Sequence, residues 1–167
     1  MLTYSFVHEK LLKNAGQDSE KAFQLGNALS PDLQYYRLSL TPSLLDKIHI
    51  NSKLGYDEFM LFEIGKAHHK DEFDDAGLPR EFGRVAGVYA GKAAASDAPY
   101  FMAKQYTEQL LADFDVTEPI RFQPLGEFDF GPHDAFRQLA APFDVARAAT
   151  LWIGDQLAGV VGEFTQS

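Results

Sequence analysis

Phe59-Met60-Leu61-Phe62-Glu63-Ile64-Gly65 is the stretch on which the fold turns. It is apolar at both odd and even positions, so it reads as a strand covered on both faces, a central strand of a sheet. Glu63 interrupts the pattern. Alternation places it on one face with Phe59 and Leu61, where a half-buried carboxylate needs hydrogen-bond donors or carries a raised pKa. It is either a pocket carboxylate or, the favoured reading, a structural one bonded to backbone N–H groups of a neighbouring segment.

Working outward, residues 84–90 read as a second strand. Between the two lies a polar stretch, residues 67–82, too long for a tight hairpin and therefore expected to be a mobile or functional loop. It holds His68-His69 followed by Asp71, Glu72, Asp74 and Asp75, residue types that bind hard metals. Adjacent histidines on a loop rarely converge on one ion, so a solvated loop with no metal is the preferred reading.

Further upstream, residues 3–7 alternate as a short strand, and residues 14–21 read as a loop. Thr41-Pro42-Ser43 looks like a helix start, with Thr41 as the capping hydroxyl and Pro42 at the first helical position. Leu44, Leu45 and Ile48 form the apolar stripe of that helix, and Gly55 stops it. A second helix follows Pro99, with Ala103, Tyr106, Leu110, Leu111 and Phe114 on one side. Residues 120–125 read as a third strand, and a closing hairpin turns at Gly154-Asp155. Clustered strands with separate helices predict an α+β fold with a largely antiparallel sheet.

The 167 residues (18.6 kDa) suit a single domain spanning 1–167. With 46% hydrophobic and 23% charged residues the chain is not a disordered one. Size scaling predicts a folded surface of about 8,200 Å² against roughly 27,000 Å² unfolded. No apolar run reaches the ~18 residues of a membrane helix, and the start has no signal-peptide pattern. The absence of cysteine excludes disulfides and thiolate chemistry. Net charge is −9 and uneven: residues 1–66 hold seven basic and eight acidic residues, residues 67–167 eight and sixteen. That bias argues against nucleic-acid binding by this chain unaided. Glycines 83, 87 and 91 fit no phosphate-binding spacing, and there is no G-x-S-x-G nucleophile motif. Lys104 reads as a solvated or snorkelling lysine.

Taken as strings, the residues go further. Thr3-Tyr4-Ser5-Phe6, Asn27-Ala28-Leu29-Ser30, Arg37-Leu38-Ser39-Leu40-Thr41-Pro42-Ser43-Leu44-Leu45, Asn51 and Leu61-Phe62-Glu63-Ile64-Gly65 follow one another. In that order they resemble the synthetase-like core of bacterial phenylalanyl-tRNA synthetase β subunits, with strings TYSF, NPLS, LRxSLxPxLL and LFEIG. Lys104 matches the lysine of a D-L-K-G string, and the segment from Gly154 to Glu163 resembles the closing G-x-x-I-G-x-x-G-E hairpin. Ala28 stands where proline is usual, Leu38 for threonine and Gln105 for glycine.

The resemblance implies a class II aminoacyl-tRNA synthetase fold, an antiparallel sheet flanked by helices, with Arg37, Gly65 and Lys104 as structural motif residues. It implies a longer cytoplasmic parent, an α₂β₂ enzyme joining phenylalanine to its tRNA with ATP and Mg²⁺. No cofactor is expected in this part and no membrane contact; its partner would be the catalytic α subunit, with tRNA held by other parts of the assembly. On that reading the tRNA-binding and editing domains and the first-motif helix that precede this core lie outside the sequence, as does the anticodon-binding module that follows.

Laid on the catalytic subunit's strings, the chain resembles a disarmed site. G-R-V-Y-R-R-D corresponds to Gly65-Lys66-Ala67-His68-His69-Lys70-Asp71, which puts His69 where an arginine grips the α-phosphate. Imidazole is mostly neutral at pH 7 and lacks the guanidinium fork. F-H-Q-V-E-G corresponds to Phe82-Gly83-Arg84-Val85-Ala86-Gly87, so Arg84 replaces the glutamine and Ala86 the glutamate that hold the amino-acid substrate. Glu63, His69, Arg84 and Ala86 are thus the candidates for a vestigial pocket, with no catalytic residue and no metal ligand. The expected function is a non-catalytic structural core. The alternatives are an adenylate-forming enzyme with relocated ligands, using Glu63 and Arg84, and a free-standing amino-acid-binding protein of the same fold.

Overall fold

A computed structural model describes residues 2–28, 30, 32–91, 99–131 and 134–165, at 134 the backbone alone. Leu29 of the second family string lies outside the described residues. The elements run β1 (Phe6–Val7), α1 (Glu9–Asn14), β2 (Tyr35–Tyr36), α2 (Thr41–Lys53), β3 (Glu58–Phe73), β4 (Pro79–Gly91), α3 (Pro99–Asp113), β5 (Ile120–Pro124), α4 (Asp134–Ala140), β6 (Phe143–Ile153) and β7 (Gln156–Phe164). The fold is α+β, and its antiparallel sheet comes as three ladders: β1–β2, β3–β4 and β5–β6–β7.

Residues 67–82 do not form a loop. β3 and β4 continue through them as one long hairpin, paired in register from Glu58↔Gly91 to His68↔Glu81, with an irregularity between His68 and Phe73 before Phe73↔Pro79. The turn is short. Asp74 Oδ1 accepts from the N–H groups of Ala76 and Leu78, both at 2.9 Å, and Gly77 (φ 75°) supplies the left-handed residue. Polar side chains fit this strand because its outer face stays in water. His68 and His69 are buried rather than solvated.

Nor is β3 a central strand. Its only ladder partner among the described residues is β4, and the two faces differ. The inner face (Phe59, Leu61, Glu63, Gly65, Ala67, with Phe82, Arg84, Ala86, Val88) is covered, with α2 packing against it, whereas Met60, Phe62, Ile64 and Val85 on the outer face are exposed. The first strand is shorter than expected, Phe6–Val7 rather than residues 3–7.

At the start of α2, Thr41 is the first helical residue and Pro42 the second, while Leu40 holds the cap position with no side-chain hydrogen bond. Pro42 removes one of the free donors a cap would satisfy. Burial of Leu40, Thr41, Ser43 and Leu44 fixes this end instead. Gly55 (φ 90°) follows the helix end as expected. α3 has no buried residue, so its apolar side is largely open.

The core is split into small clusters. Val7, Leu12, Ala22 and Leu38 pack with Leu11 and Tyr35. Leu125, Ala140 and Ala148 pack with Phe130, Phe136, Phe143 and Val160. In keeping with this, the chain exposes 10467 Å². That exceeds the scaling value of about 8,200 Å² for a compact monomer.

Candidate functional site

The inner face of β3–β4 carries the site. Glu63 is 0% exposed and Arg37 3%. The Arg37 Nη1 donates to Glu63 Oε1 (2.8 Å) and to Thr3 Oγ1 (2.8 Å), its Nε donates to the Lys66 carbonyl (2.9 Å), and Thr3 Oγ1 donates to Glu63 Oε2 (2.7 Å). Both carboxylate oxygens are therefore engaged. The donors are side chains rather than the backbone N–H groups expected for Glu63.

Backbone bonds hold this arrangement in place. The Arg37 N–H donates to the Ser5 carbonyl (3.0 Å), and the His68 N–H donates to the Arg37 carbonyl (3.2 Å). Residue 37 thus bridges the N-terminal segment and β3. Three family strings, the one with Thr3, the one with Arg37 and the one with Glu63 and Gly65, converge on one buried network.

Ala86 is the cross-strand partner of Glu63, and Arg84 that of Gly65. These four share a face. The Arg84 guanidinium lies 4.8 Å from the centroid of the Phe82 ring, and Arg80 lies 5.2 Å from the same ring. Burial first, and the Arg80 charge second, push the Arg84 pKa below the ordinary arginine value.

His69, 3% exposed, sits farther along β3, where its Nδ1 accepts from the Asp71 N–H at 3.3 Å. The His68 ring meets Tyr36 edge-on at 4.4 Å, and its Nδ1 has no hydrogen-bond partner among the described residues. Lys104 lies over the Phe122 ring at 4.8 Å and 3.6 Å from Glu108.

Mg²⁺ takes oxygen ligands, mostly carboxylates and phosphates. Among the described residues no three His, Asp or Glu side chains converge to hold a metal ion. Asp71 is paired with Lys21, and the Asp74 Oδ1 closes the hairpin turn. The described side chains do not fit a magnesium site.

A second buried polar group was not legible in the sequence. The Gln17 side chain donates to Ser39 Oγ (2.9 Å) and to the Gln138 carbonyl (2.6 Å), and the Asp18 N–H donates to Gln138 Oε1 (2.8 Å). It ties the segment after α1 to α4 across 121 positions. No local motif marks either glutamine.

This architecture is that of a class II aminoacyl-tRNA synthetase core. It superposes on Desulfitobacterium hafniense PylSc, a pyrrolysyl tRNA synthetase, with TM-score 0.60 over 94% of this chain and 47% of that one, at 15% identity. The chain belongs to the family of the phenylalanyl tRNA synthetase beta chain CLM domain, which it matches over residues 1–167. It is 29% identical over 170 positions to the phenylalanine–tRNA ligase beta subunit of Cupriavidus pinatubonensis, covering 98% of this chain and 19% of that one. To the beta subunit of Solibacter usitatus it is 29% identical over 108 positions, covering 65% and 14%. The chain spans less than a fifth of the length of these relatives. Among the described residues no helix is long and apolar enough to cross a membrane.

Proposed function

We propose that this domain is the non-catalytic structural core of a phenylalanine–tRNA ligase beta subunit, supporting the catalytic alpha subunit by packing against it in the cytoplasm. The reading rests on one observation: the carboxylate on the candidate cleft face, Glu63, is fully engaged by Arg37 and Thr3. A carboxylate already bonded to a guanidinium and a hydroxyl has little left for a substrate ammonium. Ala86 beside it offers no replacement, and the buried His69 offers no guanidinium fork for a phosphate. Losing one preorganised donor costs about 3–4 kcal/mol of transition-state stabilisation, and here several are missing together. Phenylalanine, ATP, Mg²⁺ and tRNA would then be handled by other parts of the ligase, which accords with the net charge of −9 on this one.

ATP–pyrophosphate exchange and calorimetric titration with phenylalanine, ATP and a phenylalanyl-adenylate analogue test this. Silence in all of them, together with co-purification with a catalytic alpha subunit, is the expected result. Exchange near the rate of an ordinary synthetase would instead make the chain an adenylate-forming enzyme. Amino-acid binding without exchange would make it a binding protein.

A further inference from the structure

Arg80, Phe82 and Arg84 alternate along β4, so all three project from the inner face of the hairpin. The Cα atoms of the two arginines stand about 13 Å apart along the strand. Their guanidiniums nonetheless converge on one ring, 5.2 Å and 4.8 Å from the Phe82 centroid. Neither has a carboxylate partner among the described residues.

The chain does not lack carboxylates. It carries 24 acidic residues against 15 basic ones, and Lys13, Lys21, Arg37 and Lys66 each pair with one. Arg84 is half-buried, so its charge has lost water without gaining a counter-ion, and the Arg80 charge beside it adds repulsion. Holding two like charges over one ring costs free energy that an arriving anion offsets. The stacking also readies them. A guanidinium laid on an aromatic ring keeps its N–H edge free and loses little freedom when its fork takes a carboxylate.

The surroundings of the strip select the anion. Asp74, Asp75 and Glu81, exposed toward the hairpin tip, repel a polyanion such as RNA, whose charge is continuous. The ring that would stack a base already carries both guanidiniums. A protein segment can instead bring two carboxylates and no other charge. Alternate residues of an extended segment point the same way ~7 Å apart, a spacing that suits two forks drawn together over one ring.

We propose that Arg80 and Arg84 form a receptor for an acidic segment of a partner protein, each guanidinium taking one carboxylate in its fork. The receptor uses no part of the Glu63 network, so it stands or falls separately from the reading of the domain as a structural core.

NMR titration of the 167-residue chain, read at the arginine Nε–H resonances, tests it. The probe is a short extended peptide with two glutamates at alternate positions among threonines, capped at both ends so that no terminal charge remains. Its control has glutamine for glutamate. The Arg80 and Arg84 resonances should shift saturably at millimolar peptide, while that of Arg37, buried and already bonded, stays put. The control should bind about tenfold more weakly, and salt should weaken the glutamate peptide. Arg80→Gln and Arg84→Gln should each weaken binding severalfold. Arg84→Lys should not restore it, because an ammonium lacks the fork. Arg80 is exposed, so Arg80→Gln keeps the test should Arg84→Gln unfold. Absence of saturable shifts, equal binding of the glutamine peptide, or indifference to the substitutions overturns the proposal. So does tighter binding of inorganic pyrophosphate or of a short single-stranded RNA at these two arginines, which would assign the strip to phosphates.

Discussion

The Arg37 guanidinium packs directly on Gly65: a Cβ at residue 65 would stand 2.5 Å from Arg37 Nη2. The closeness is structural, because Arg37 is held by bonds to the Lys66 carbonyl, Thr3 and Glu63 and has no free direction to move. Gly65→Ala should therefore displace the guanidinium and break part of the network. The expected loss is about 1–3 kcal/mol, the range for overpacking a well-filled site. Urea unfolding reads it as a lower midpoint at unchanged slope. An unchanged midpoint would mean that Arg37 can relocate without penalty.

Removing the cation tests the same network from the other side. Arg37→Met leaves the Glu63 carboxylate buried and uncompensated, which should destabilise by ~3–5 kcal/mol. The double variant Arg37→Met, Glu63→Met removes the stranded charge and should recover much of that loss, since apolar replacement of a buried pair is often neutral. A double-mutant cycle by denaturant unfolding measures the coupling. Additive losses would show that the two residues do not act as a pair.

The legibility of these features from sequence was uneven, for physical reasons. The family strings single out Thr3, Arg37, Glu63 and Gly65, but their meeting is a tertiary fact that no local spacing encodes. The run from Phe59 to Gly65 announced a strand. Because both parities are apolar, it could not say which face the chain itself would cover. Residues 67–82 hid their strands because the exposed outer face accepts polar side chains, which dilutes the period-two signal. The turn signal was nonetheless there, in Asp74 and Gly77. Gln17 and Gln138 carry no pattern that would pair them.

Two surface pairs make stability depend on acid. A hydrogen bond and then the charge of Lys21 hold the Asp71 carboxyl below its ordinary 3.8, partly opposed by desolvation. Lys66 does the same for Glu81, whose ordinary value is 4.5. Both folded pKa values are lowered, so the unfolded chain binds protons more readily. The stabilisation is present above the ordinary values and is lost as pH falls through the lowered ones. Urea midpoints measured from neutral pH down past 3.8 should decline, and Asp71→Asn with Glu81→Gln should flatten the part of the decline due to these pairs. High salt should shrink the effect, because both pairs are exposed. A decline that the double substitution leaves unaltered would place the acid sensitivity elsewhere.

The hairpin tip makes the last prediction, because it is all that turns 16 residues of β3 back into β4. Asp74 Oδ1 accepts two backbone N–H groups, and the Asp74 N–H in turn donates to the Leu78 carbonyl at 2.9 Å. Asp74→Ala leaves both donors to water at an exposed site, so the cost is the net value of such bonds, about 1 kcal/mol each. Gly77→Ala acts differently: at φ 75° an added Cβ costs roughly 1–2 kcal/mol in backbone strain, with no clash involved, since nothing lies within 4 Å of it. Neither change touches the Arg37–Glu63 network. Hydrogen exchange should therefore show faster exchange at the distal rungs, around the Phe73↔Pro79 pair, and unaltered protection near Glu63↔Ala86. Equal loss of protection along the whole hairpin would mean that the ribbon opens as one unit, and that the buried ion pair does not anchor its inner half.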